Sequence, residues 1–441
     1  MADKPNVLYI HSHDTGRYIQ PYGYAVPTPA LQRLAEQGTL FRQAFCANPT
    51  CSPSRASLVT GTYPHQNGMF GLSHLGWEMS DYGRHLAHHL RNHGYATALS
   101  GIQHIIHPDR SLELGYDEML IANGVPGSPE LEAASWVLRR KHQRDRPWFL
   151  SVGFGETHRG FPSENLSVDP RFVKPPDPLP DTPENRRDMA GYITHAATLD
   201  RKMAVVLNAL EESGQLDDTL VICTTDHGVA FPRMKCNLTD GGIGVMLMMR
   251  GPGGFTAGLA VDALASHLDL FPTICDVCNL PRPDWLEGVS LRPLVDGSAD
   301  RVRDEVYATV NFHGSYEPMR CVRTERYKYI VRYGEREAPV LANCDAGGCK
   351  RTWAQAGWLR EDREALYDLA TDPNEMRNLI GRGEADDALA DLRRRLKAWQ
   401  DRTGDPILQG PIPVPESAVF CDLDADGPDT PKRPFADHPQ Y

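Results

Sequence analysis

Two short stretches carry the residue types that hold divalent metal ions. His13-Asp14 follows an apolar, β-branched run from Asn6 to His11, and Asp226-His227-Gly228 follows a similar run from Thr219 to Thr224. Carboxylates and imidazoles offered from two strand ends would make a divalent-metal cage. Singly, each reads as an ordinary turn; the pair gains weight if one sheet presents both ends side by side. The carboxyl ends of buried strands are where open α/β sheets place their sites. Histidine is also suited to proton transfer, with an unperturbed pKa of about 6.5. The chain has 17 histidines, most of which must serve the surface or the packing.

The elements that must position these residues alternate between strand and helix patterns. Helices are expected over 29–37, stopping at Gly38, over 84–93, stopping at Gly94, and over 189–213; strands are expected over 96–99 and 148–154. Such alternation predicts an α/β fold, a mostly parallel sheet sandwiched by helices. Past residue 300 the texture changes. Segments 306–310, 319–323 and 327–330 read as antiparallel strands joined by short polar turns, with a helix over 385–403 behind them. The expected organisation is a catalytic domain (1–300), a smaller α+β subdomain (301–405) and a Pro/Asp-rich extended tail (406–441). That tail should fray or wrap a neighbouring subunit, so a homo-oligomer is anticipated. There are no internal repeats.

Composition narrows the function classes. The 441 residues are 41% hydrophobic and 24% charged, with mean hydropathy −0.44, an ordinary globular balance. No run approaches the ~20 apolar residues that span a bilayer, so no membrane partner is expected. Forty-six Lys and Arg against 58 Asp and Glu leave a net charge of −12, which argues against nucleic acid as a partner. A small anionic substrate remains open, because a metal or a few cations can invert the sign inside one pocket. No signal-peptide core is visible, so a cytoplasmic location with reduced cysteines is expected. Cys275 and Cys278 read as buried structural thiols, and Cys344 and Cys349 could pair only if oxidised.

One motif decides between these openings. Within Thr50–Gly61 stands Cys51-Ser52-Pro53-Ser54-Arg55, and here the chain resembles the formylglycine-dependent sulfatases, in which C-x-P-x-R marks a cysteine oxidised to formylglycine by a dedicated enzyme. Other segments follow in the family's order: Pro5-Asn6 and the strand into Asp14, His65-Gln66-Asn67-Gly68-Met69, Asp226-His227-Gly228, and Leu366-Tyr367-Asp368-Leu369 with Asp372-Pro373-Asn374-Glu375. The resemblance covers essentially residues 5–400. It leans toward the heparan N-sulfatase (sulfamidase) and arylsulfatase branch through Cys51–Leu72, Phe231-Pro232 and Asn237-Leu238.

The resemblance implies an alkaline-phosphatase-like fold and a sulfatase acting on small sulfate monoesters. Cys51 would be converted to formylglycine by the generating enzyme. One hydroxyl of the aldehyde hydrate attacks sulfur, and deprotonating the other expels sulfate, a release that a plain serine could not achieve. Arg55 would hold the hydrate, His104 take its remaining proton, His158 protonate the leaving oxygen, and Lys235 contact sulfate. His65 and Asn67 would line the pocket. One divalent metal would be held by His13, Asp14, Asp226 and His227, facing the oxidised Cys51, and would bind sulfate oxygens.

Two departures from the family pattern matter. His13 stands where the first of two aspartates is usual, so the donor set is less purely hard; manganese or zinc tolerates imidazole better than calcium does. Ile102, in Gly101-Ile102-Gln103-His104, stands where lysine usually follows glycine. Losing that cation favours a monoanionic substrate. It keeps a phosphonate monoester or phosphodiester activity as the main alternative, since related phosphonate monoester hydrolases share the modified cysteine. N-sulfate hydrolysis and a non-catalytic sulfate-binding role are lesser alternatives. Specificity is expected in the loops 71–81, 162–185 and 311–317.

Overall fold

The computed structural model describes residues 4–122, 125–142, 146–256, 258–334, 336–355 and 362–434. Its organising element is an eight-stranded sheet in the order Glu118–Ala122, Ala96–Gly101, Trp148–Gly153, Asn6–His11, Thr219–Thr224, Leu247–Arg250, Thr39–Phe41, Leu259–Val261. Only Leu247–Arg250 runs against its neighbours. Asn6–His11 shows why the sheet is covered on both sides. Val7 and Tyr9 point into one apolar layer, Leu8 and Ile10 into the other, and all four are buried. A strand with no polar face needs helices above and below it.

One face is covered by Pro29–Gln37, Pro129–Arg139 and the 30-residue helix Pro183–Glu212, whose Leu199, Met203, Val206 and Leu210 pack against the strands. The other holds Cys51–Thr60, Leu86–Asn92 and Leu270–Val277. The sheet and its helices are the α/β architecture expected, with the long helix starting six residues earlier than its apolar spacing suggested. Thr182 caps it by accepting from the Asn185 amide, and Pro183 takes the first turn.

The C-terminal antiparallel sheet has four strands, Glu305–Phe312, Tyr316–Thr324, Tyr327–Arg332 and Glu364–Asp368. The fourth falls on the Leu366-Tyr367-Asp368 segment, noticed in the sequence as a motif and not as a strand. Helix Asp386–Thr403 lays Leu389, Leu392, Leu396 and Trp399 onto Val322, Tyr329 and Leu366. The tail folds back over its own chain. Ile412, Ala418, Phe420 and Cys421 are buried, the Ser417 hydroxyl donates to the Gly76 carbonyl at 2.9 Å, and the Cys421 amide donates to Gly314 at 2.7 Å. Its last seven residues lie outside the described ones. The ten cysteines are free, and Cys275 and Cys278 are buried in and just after Leu270–Val277. Among the described residues no helix is long and apolar enough to cross a membrane.

Burial also sets an acid limit. It pushes the His65 imidazole down to about 4, and those of His85 and His267 to about 3. The unfolded chain accepts these protons near pH 6.5 and the fold refuses them until well below, so protonation favours unfolding. Stability is therefore full above that value and falls as pH drops toward 4, by about 1.4 kcal/mol per group per pH unit. Urea midpoints at pH 7.5 and 5 should differ in that direction; equal midpoints would contradict it.

Candidate active site

Three adjacent strands end at one place. After Asn6–His11 the backbone turns through Ser12, His13 and Asp14, the last with φ 54°, a left-handed conformation that aspartate tolerates. The His13 amide donates to Glu156 O (2.9 Å), beyond strand Trp148–Gly153. The Asp14 amide donates to Asp226 Oδ1 (2.8 Å), beyond strand Thr219–Thr224. These bonds fix two carboxylates and two imidazoles face to face. His13 Nδ1 lies 2.8 Å from Asp14 Oδ1 and 3.4 Å from Asp226 Oδ2; His227 Nε2 lies 3.3 Å and 3.7 Å from the same two oxygens.

This quartet fits a divalent cation. His227 Nδ1 donates to the Gly228 carbonyl at 3.0 Å, so its Nε2 presents a lone pair; that atom is buried and has no hydrogen-bond partner. Burial pushes His13 down to about 4, leaving it neutral at pH 7. Burial alone would raise Asp14 and Asp226. Lys235 beside the first, and His227 and Arg55 beside the second, outweigh it and hold both carboxylates below their ordinary range. Cys51 completes the cluster: its sulfur lies within 4.8 Å of ligating atoms of His13, Asp14 and Asp226.

Cys51 opens the helix Cys51–Thr60, every residue of which is buried. That seats the side chain at the positive end of a helix dipole, and burial pushes its thiol well above the ordinary range. One turn on, Arg55 is spent on the same cluster. Its Nη2 lies 3.0 Å from Asp226 Oδ2 and donates to Ser12 O at 3.0 Å, while Nη1 sits 2.7 Å from His11 Nδ1. Lys235 approaches from the loop after Thr219–Thr224, with Nζ 2.8 Å from Asp14 Oδ2 and 2.9 Å from Asp345 Oδ2. His158 donates from Nδ1 to Arg159 O (3.0 Å), which points Nε2 at Lys235 Nζ, 3.3 Å away. His104, beyond strand Ala96–Gly101, is half-buried and places Nε2 3.2 Å from His74 Nδ1. A cleft of about 280 Å³ lined by Ser73, His74, Gln103, His104, His107 and Ser111 opens beside it.

A family model described as "Sulfatase" matches residues 5–280. The chain belongs to the sulfatase family. A second model, "N-sulphoglucosamine sulphohydrolase, C-terminal", matches residues 234–345 and places this sulfatase on the sulfamidase-like branch. It is 30% identical to human N-sulphoglucosamine sulphohydrolase over 94% of this chain and 93% of that one. Among solved structures, the putative sulfatase yidJ from Bacteroides fragilis superposes with TM-score 0.75 at 21% identity, covering 93% and 98% of the two chains. The phosphonate monoester hydrolase SpPMH from Silicibacter pomeroyi superposes at 0.69 and 19%, covering 91% and 96%. The sulfatase is thus a sulfuric ester hydrolase of alkaline-phosphatase-like fold.

Of the residues singled out in the sequence, the sulfatase brings together His13, Asp14, Cys51, Arg55, His104, His158, Asp226, His227 and Lys235. It does not bring in His65 or Asn67. The short turn Pro64–Asn67 lies under the C-terminal helix: the His65 ring stands edge-on to Trp399 (5.4 Å) and parallel to Tyr63 (5.8 Å). Asn67 braces that turn, accepting from the Met69 amide at 3.0 Å. Three contributors were missed: His11, His74 and Asp345. His11 was legible as the last residue of a strand aimed at the site. His74 falls in the loop 71–81 expected to carry specificity, where no motif singled it out, and Asp345 sits on a loop that no pattern linked to the site.

Proposed function

We propose that this sulfatase hydrolyses a monoanionic sulfuryl group through oxidised Cys51, with one divalent ion at His13, Asp14, Asp226 and His227. The observation that carries the reading is the convergence of Cys51, Arg55, Lys235 and His158 on that four-donor ring. The oxidised residue supplies a geminal diol, one hydroxyl to attack and one to release; the ion supplies charge for the sulfuryl oxygens. Arg55 is held by three acceptors and cannot swing away, so it fixes the start of the helix against Asp226. Lys235 Nζ faces the sulfuryl oxygens. As the acid, His158 carries a proton on Nε2 in addition to the one Nδ1 gives to Arg159 O, and passes it to the leaving atom; His104, set behind residue 51, takes the proton that permits release.

The expected substrate is a sulfate monoester. A second reading is favoured by the likeness to human N-sulphoglucosamine sulphohydrolase over nearly both full lengths, namely an N-sulfate on an amino sugar. Turnover of nitrophenyl sulfate, N-sulfoglucosamine and a nitrophenyl phosphonate monoester by the matured enzyme tests all three classes. Either sulfuryl substrate should dominate, and a strong phosphonate preference would overturn the proposal.

His158→Gln should lower turnover of an alkyl sulfate by about 10²–10³-fold and that of nitrophenyl sulfate, whose leaving group needs little help, by less than about tenfold. Equal losses would remove His158 from the acid role. The mixed nitrogen and oxygen donors favour manganese or zinc over calcium. Metal analysis showing stoichiometric calcium alone would reverse that preference. Chelation should lower the melting temperature, because an ion at about 100 times its Kd adds ~2.7 kcal/mol to the fold.

A further inference from the structure

Asp345 is the carboxylate that the mechanism leaves unused. It lies on the loop after Leu341–Asn343, far in sequence from the catalytic strands, yet its Oδ2 is 2.9 Å from Lys235 Nζ. Both side chains are shielded, 12% and 2% exposed. The loop is clamped on both flanks. Upstream, the Asn343 side chain accepts from the Ser315 amide (2.9 Å) and donates to Glu317 Oε2 (2.9 Å). Downstream, the Cys349 amide donates to Asp188 Oδ2 (3.0 Å), which Arg159 grips through both terminal nitrogens. Lys350 Nζ binds the Leu341 and Cys344 carbonyls at 2.8 Å each, and Asp426 O in the tail. The fold therefore holds the backbone that carries Asp345 on both flanks, within reach of Lys235.

Charge at the anion seat gives the carboxylate a purpose. Asp14 and Asp226 are engaged by the metal ring, and Arg55 is paired with Asp226. With a divalent ion bound, and before any proton on His158 Nε2 is counted, Asp14, Asp226 and Asp345 face Arg55 and Lys235. The seat then carries one net positive charge, and it would carry two without Asp345. A sulfate monoester or sulfamate is a monoanion, whereas the released inorganic sulfate is a dianion. We propose that Asp345 is a specificity-determining, positioning residue, supplied by the C-terminal subdomain, that matches the seat to the monoanionic substrate and weakens its hold on dianionic sulfate. The proposal rests on the reading of Lys235 as the sulfuryl-facing cation.

Titration calorimetry of inorganic sulfate and of methyl sulfate into the metal-replete protein, expressed without the maturing enzyme so that Cys51 stays a thiol, tests this without turnover. Wild type should bind methyl sulfate at least as tightly as sulfate. Asp345→Asn should tighten sulfate by about tenfold more than it tightens methyl sulfate, as expected for one buried charge acting on the dianion's extra charge. Asp345→Glu should restore the wild-type ratio. A ratio unchanged in Asp345→Asn, with an unaltered circular dichroism spectrum, would overturn the role of Asp345 and leave the sulfuryl site standing. A wild-type preference for sulfate above tenfold would overturn it without any variant. Binding of neither anion by wild type would remove the anion seat itself.

Discussion

Replacing Cys51 with alanine should leave a folded protein, destabilised by no more than about 1 kcal/mol, with turnover reduced by about 10⁴-fold or more. The structure explains why so small a deletion should cost so much. Nothing else in the cluster is a nucleophile at the head of a helix: the imidazoles face the carboxylates, and Lys235 is shared between Asp14 and Asp345. Cys51→Ser sharpens the test. A single hydroxyl can attack sulfur but has no geminal partner with which to expel it, so at most one turnover per molecule is expected. Mass spectrometry of the wild-type peptide spanning residue 51, after expression with the maturing enzyme, should show an aldehyde in place of the thiol. Full activity in Cys51→Ala would falsify the nucleophile assignment outright.

Arg55→Ala should be the most damaging substitution to the framework of the site. The side chain is 3% exposed and satisfies Asp226 Oδ2, the Ser12 carbonyl and His11 Nδ1 at once. Its removal strands a buried carboxylate beside Asp14. Breaking a buried pair on one side costs about 3–5 kcal/mol, so the melting temperature of a chain this long should fall by roughly 3–5 °C and activity should be lost at temperatures where the protein is still folded. Arg55→Lys would not rescue it, because an ammonium cannot span three acceptors fixed by a planar fork. A melting curve for Arg55→Ala within a degree of wild type would show that the network is not what holds the strand ends together.

The parts of this protein that could be read from its sequence are those where one local rule governs. Asn6–His11 and Thr219–Thr224 are continuous apolar runs that can only be buried strands, and the polar residues that follow them had to lie at a sheet's carboxyl edge. Cys51 to Arg55 was legible because the motif is contiguous. His65 misled for the same reason. It stands at the right interval after the motif, but its surroundings are set by Trp399, a residue on a helix that no local pattern could place above it. Asp345 was invisible because nothing in the Cys344–Cys349 turn signals that it is bent back onto Lys235. The tail was misjudged from composition. Proline and aspartate suggested an extended arm, and the few apolar residues between them, Ile412, Ala418 and Phe420, are what seat it on its own chain.

The placement of Asp345 also bears on when the enzyme comes into being during synthesis. The first and last contributors to one cluster are His11 and Asp345, so the pocket has high contact order and cannot close while the ribosome still holds the C-terminal third of the polypeptide. The oxidation proposed for Cys51 has its readiest access before the fold closes, since the finished fold leaves that side chain 2% exposed. On that proposal, translation speed sets the interval in which a nascent chain can be turned into a working catalyst.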